Sequence, residues 1–141
     1  MRALTLTQPW AGLVASGVKL IENRPWKPPT KMMGERFAIH ASRAVDLDTI
    51  AELDVDHDIP ERPVWRITSA IVGVATLDTY VTDVRQIAEY MAPEQERWFF
   101  GPVGFVLRDV VQLASPVPCK GALGFWTLPD DVARQVVEQL R

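Results

Sequence analysis

The chain is poor in the residues that make covalent and metal cross-links. A single cysteine, Cys119, rules out an internal disulfide framework and fits a reducing compartment. Two histidines, His40 and His57, lie 17 positions apart, and no Cys/His group has zinc-site spacing, so neither metal nor cofactor is expected. No apolar run approaches the roughly 20 residues of a membrane span. The opening Met1-Arg2-Ala3-Leu4-Thr5-Leu6-Thr7 lacks the apolar stretch and small-residue cleavage site of a secretory leader. A cytoplasmic protein with no membrane partner is the expectation. Positive charge is also short, with 15 Lys and Arg against 18 Asp and Glu. That net charge of −3 excludes a protein that coats nucleic acid indiscriminately. Glycine-rich phosphate loops, G-x-S-x-G elbows and H-E-x-x-H helices are missing as well.

What is present suits one compact domain over residues 1–141. At 141 residues with 48% hydrophobic side chains, a chain buries roughly 70% of its unfolded surface and can build its own core. Charge is distributed unevenly. Residues 17–43 carry Lys19, Arg24, Lys27, Lys31, Arg36 and Arg43 against only Glu22 and Glu35. Residues 44–61 carry Asp46, Asp48, Glu52, Asp54, Asp56, Asp58 and Glu61 with no Lys or Arg. The pair of segments reads either as an anion site beside a negative fence or as two solvated surfaces of opposite sign.

Periodicity supplies the elements. Ala3–Thr7 alternates as a strand, and Pro9 opens a short helix capped by Thr7 or Gln8, with Trp10, Leu13 and Val14 on its apolar side. Gly17 stops that helix. Leu20–Trp26, Glu35–Ser42, Thr68–Leu77, Val103–Leu113 and Ala122–Leu128 read as further strands. Thr68–Leu77 is apolar on both faces, which predicts a covered central strand. Helices are expected over 46–53 and 83–91, a polar loop over 54–63, and an amphipathic terminal helix after Pro129. The sum is an α+β domain around a small barrel.

The chemistry concentrates in Gly17-Val18-Lys19-Leu20-Ile21-Glu22-Asn23-Arg24-Pro25-Trp26. On an extended strand Glu22, Arg24 and Trp26 share one face while Lys19 points away. Lys19 joins them only if the chain turns between Gly17 and Leu20. A structural alternative is a surface Glu22–Arg24 ion pair beside a solvated lysine.

This segment resembles the ASCH family, a branch of the PUA-like superfamily, whose signature G-x-K-x-x-E-x-R is matched by Gly17, Lys19, Glu22 and Arg24. The resemblance extends to Leu4–Trp10, Ile39-His40-Ala41-Ser42, Gly101–Leu107 and Cys119–Trp126. It implies a small, mostly antiparallel β-barrel with short peripheral helices and a cleft beside the signature. It further implies RNA or nucleotide binding, or, in one branch, hydrolysis of the acetamide of N4-acetylcytidine. That branch uses a lysine, a threonine three positions later and a distant glutamate. Here Lys19 matches the lysine, Glu22 stands at the threonine position, and Asp78 is offered for the distant acid.

Three functions follow. A binding module takes RNA or a nucleotide with Lys19, Arg24 and Lys120 on phosphate. Trp10, Trp26 or Trp98 then offer a stacking face, and His40 and Ser42 contact the base. A small amidohydrolase or ribonuclease uses Lys19 and Glu22 as catalytic groups. A protein-interaction domain docks through the acidic segment 44–61. Trp126 is expected to pack, Trp65 carries no functional signal, and Cys119 has no redox role.

Overall fold

A computed structural model describes residues 1–141. Its strands are β1 (Arg2–Gln8), β2 (Ile21–Arg24), β3 (Arg36–Val45), β4 (Ala70–Val81), β5 (Val103–Pro118) and β6 (Phe125–Thr127). Its helices are α1 (Trp10–Ala15), α2 (Leu47–His57) and α3 (Asp130–Gln139). Four 3-10 turns fill the connections, at Thr30–Met32, Pro63–Arg66, Val84–Glu89 and Pro93–Trp98.

One six-stranded sheet runs β2-β5-β4-β3-β1-β6. Four of its five ladders are antiparallel, and β1 with β3 is parallel. The expected barrel is therefore corrected: the sheet does not close. Its ladder order gives the reason. The edge strands β2 and β6 share no ladder, and β6 covers β1 only over Arg2–Leu4, so the Thr5–Gln8 end of β1 has no backbone partner on that side. β2 itself has four residues and ends at Pro25, which carries no N–H for a ladder.

The two-sided pattern of the fourth strand holds. Val72, Ala75 and Leu77 belong to the larger core with Leu13, Val14 and Trp65. Ile71 and Val74 belong to a smaller core against Val132 and Val136 of α3. Other boundaries move. The helix expected over 46–53 runs on to His57 and takes part of the supposed loop, with Asp46 as its N-cap accepting from Thr49 N at 3.1 Å. Residues 84–89 form a 3-10 turn, set by an Asp83–Gln86 capping box and followed closely by Pro93. The last strand keeps only three residues of the seven expected.

The N-cap of α1 is Pro9 rather than Thr7 or Gln8, but Gln8 serves the helix from one residue before it. Its Oε1 accepts from Gly12 N at 2.9 Å, while its Nε2 donates to the carbonyls of Val64 and Ile67, both at 2.7 Å. One fully buried amide thus ties the foot of α1 to the 63–66 turn.

Candidate functional site

The site is built by a helix stop. After Ala15 the chain enters a left-handed conformation at Gly17, φ 77°, where a side chain carries a steric penalty. The N–H groups of Val18 and Lys19 then both donate to Leu13 O at 3.1 Å, folding the chain back under α1. That reversal turns Lys19 inward, meeting the condition set by strand alternation. Lys19 Nζ lies 3.6 Å from Glu22 Oε1, donates to the Ile21 carbonyl, and sits 5.3 Å from the Trp10 ring centroid. Arg24 Nη2 donates to Glu22 Oε2 at 3.0 Å and to the Thr5 carbonyl at 2.8 Å. The second bond spans from β2 to β1, two strands that share no ladder.

These groups floor a cavity of about 520 Å3 walled by Thr5, Thr7, Trp10, Asn23, Asp46 and Phe100. Burial dominates at its base. Lys19 is 1% exposed and Glu22 7%. Desolvation lowers the Lys19 pKa from its ordinary 10.5, and the Glu22 carboxylate opposes that shift without cancelling it. At the rim, Asp46 is held more acidic than usual, first by the Thr49 N–H that it caps.

The sign of the Lys19 shift makes a stability prediction. Unfolded, the lysine keeps its proton up to about 10.5. Folded, it releases the proton at lower pH, so across the interval between the two values the unfolded chain binds more protons and stability rises with pH. The stability of the protein relative to its Lys19→Met variant should therefore increase from neutral pH toward pH 10.5. Urea titrations across that range check it, and a flat or falling difference contradicts it.

Of the residues singled out from the sequence, Trp10, Lys19, Glu22 and Arg24 meet in this cavity. Trp26 packs edge-on against Phe105 and Phe125, at 5.4 and 6.2 Å between centroids, away from the cavity wall. Ser42 exchanges local hydrogen bonds with Ala44, and Lys120 is exposed on the 119–124 loop, so neither lines the cavity. Asp78 lies on β4 paired with Arg108, again outside it.

His40 is the most informative displacement. Its Nε2–H donates to the Cys119 carbonyl at 2.7 Å, which leaves Nδ1 to accept from the Thr5 hydroxyl at 3.2 Å. Thr5 Oγ1 in turn accepts from Trp126 Nε1 at 3.1 Å. Burial lowers the His40 pKa, which suits this neutral tautomer. The ring has no free nitrogen for a ligand. It is sealed by Gly121, where a Cβ would stand 2.7 Å from His40 Cε1.

The polar residues that sequence reasoning missed here are Thr5, Thr7, Asn23 and Asp46. Asn23 works through the backbone: its Oδ1 accepts from Phe100 N at 2.8 Å and Gly101 N at 3.2 Å, and its Nδ2 donates to Trp98 O at 2.9 Å. This clamp holds Phe100 against Trp10, edge to face at 5.8 Å.

Comparison with known proteins bears on this same segment. Residues 4–114 match the ASCH domain family, a span that contains the whole Gly17–Arg24 signature. The chain belongs to the ASCH domain family. The domain also shares its fold with a crystal structure of ASCH from Zymomonas mobilis, at TM-score 0.58 and 18% identity, over 97% of this chain and 93% of that one. Two mutants of that protein each score 0.57, at 19% and 18% identity, over 97% of this chain and 96% and 94% of theirs. No curated protein matches the chain by sequence. The ASCH domain contains no helix long and apolar enough to cross a membrane.

Proposed function

We propose that this ASCH domain binds RNA or a nucleotide by taking one unpaired nucleotide into the Lys19–Glu22–Arg24 cavity. The observation that carries the reading is the gathering of those three side chains in one concave site beneath Trp10 and Phe100. A volume of about 520 Å3 lies in the range of small-ligand pockets. Two cations, Lys19 and Arg24, are matched by two carboxylates, Glu22 and Asp46. Affinity then comes from stacking and hydrogen bonds more than from phosphate charge, so its dependence on salt is shallow. Arg24, the more exposed cation, takes the phosphate or a base carbonyl, while Lys19 stays fixed at the floor.

The test is equilibrium binding of single-stranded RNA and of mononucleotides, followed by tryptophan fluorescence. Arg24→Ala should weaken binding about tenfold, as expected for loss of one charge-assisted hydrogen bond. Failure of the folded protein to bind any of these ligands would sink the reading.

One observation favours a second reading, a small hydrolase. The lowered Lys19 pKa raises the share of neutral amine, the form that acts as nucleophile or base. Incubation with N4-acetylcytidine and with a short RNA, followed by mass spectrometry, separates the two. Products formed by the wild type and absent with Lys19→Ala make this an enzyme.

A further inference from the structure

A second cavity adjoins the first. It has a volume of about 280 Å3 and shares the walls Trp10 and Phe100 with its neighbour. Its remaining lining includes Glu52 and His57 of α2, and Arg97 and Trp98 from the turn that ends at the Asn23 clamp. We propose that this cavity is a subsite for the adjacent nucleotide of the same strand, so that the protein's ligand is a single-stranded oligonucleotide rather than a free nucleotide. The proposal rests on the reading of the first cavity as a nucleotide site and names its substrate class.

Three features support it. First, two cavities with common walls let one unbroken strand enter both, and Phe100, 60% exposed at their boundary, offers a ring to a base. Second, the only cation in the second cavity's lining besides a histidine is Arg97, exposed at its edge with its guanidinium 4.6 Å from the Trp98 ring centroid. A linking phosphate meets its charge there. Third, Glu52 excludes a phosphate from the interior and accepts instead from an exocyclic amine, so the base is the part that enters.

Calorimetric titration with the four ribonucleoside 5′-monophosphates and the four matching homodinucleotides tests the subsite. In the wild type the better dinucleotides should bind about tenfold more tightly than their monophosphates, the gain expected from one added stacked base. The gain should be smallest for uridine, the one base without an exocyclic amine. Arg97→Ala and His57→Ala should each pull the dinucleotide-to-monophosphate ratio toward one, and Glu52→Gln should erase the disadvantage of uridine. Equal affinities for both ligand sizes, or a ratio indifferent to Arg97 and His57, overturn the subsite while leaving the first cavity's role standing. If the folded wild type binds neither size, the first cavity's reading fails and the subsite falls with it.

Discussion

Replacing Glu22 with alanine should destabilise the protein by about 3–5 kcal/mol, the loss typical when one partner of a buried ion pair is removed. The carboxylate is the only anion touching Lys19 Nζ, and that lysine is 1% exposed. Without Glu22 a buried ammonium keeps only the Ile21 carbonyl and the face of Trp10 as partners, neither of them charged. It then either stays charged at high cost or loses its proton, which adds to the lowering already imposed by burial. Arg24 suffers less because its side chain is 21% exposed and still reaches the Thr5 carbonyl. Glu22→Gln retains an acceptor and should fall between alanine and wild type. Pairing Glu22→Ala with Lys19→Met should recover most of the loss, since an apolar replacement of both partners leaves no orphaned charge. Urea denaturation of the four proteins measures all of this, and a Glu22→Ala midpoint indistinguishable from wild type would mean that Lys19 has another route to solvent or charge.

The largest effect from packing alone is expected at Trp65. Its side chain is fully buried beside α1, so close that a Cβ on Gly12 would stand 2.5 Å from its Cδ1 and 3.1 Å from its backbone N and Cα. Trp65→Ala should cost about 3–5 kcal/mol through lost burial and the cavity left behind. Gly12→Ala should destabilise from the opposite side of the same contact, and less so when Trp65 is already alanine, because the nearest clash is with the indole. Thermal unfolding of the two single variants and the double variant gives the coupling. Strict additivity would show that helix and turn can separate freely. Since Trp10 begins the same helix and walls both cavities, the double-mutant series also reports how firmly the floor of the site is held.

The sequence made some of this legible for local reasons. A helix of known face followed by glycine sets the condition under which Lys19 meets Glu22 and Arg24, while a solvated lysine is the alternative that only the fold-back onto Leu13 removes. The two-sided apolar run of β4 announced a covered strand because burial on each face leaves its own mark every second residue. Other features depend on contacts far apart in the chain. Trp65 carries no periodic signal, and its value comes from Gly12, 53 positions earlier. An inward strand histidine such as His40 reads the same whether it faces a ligand or the Cys119 carbonyl, 79 residues away. Phe100 enters the site only because Asn23 clamps its backbone from another strand. The barrel expectation fails for a similar reason: strand content is visible in periodicity, but which edges remain free depends on the pairing order.

That free edge has a consequence for how the domain responds to whatever it holds. Between β1 and β2 the only cross-link at the cavity floor is the Arg24 guanidinium reaching the Thr5 carbonyl, a clasp of one side chain where a closed barrel has a full row of backbone bonds. A molecule lodged there touches both margins at once and acts as a rivet. A ligand that binds there only when the two strands are in place stabilises the folded state, and occupancy raises the melting temperature in step with affinity. Thermal shift therefore reads ligand affinity in this domain through the joint it tightens.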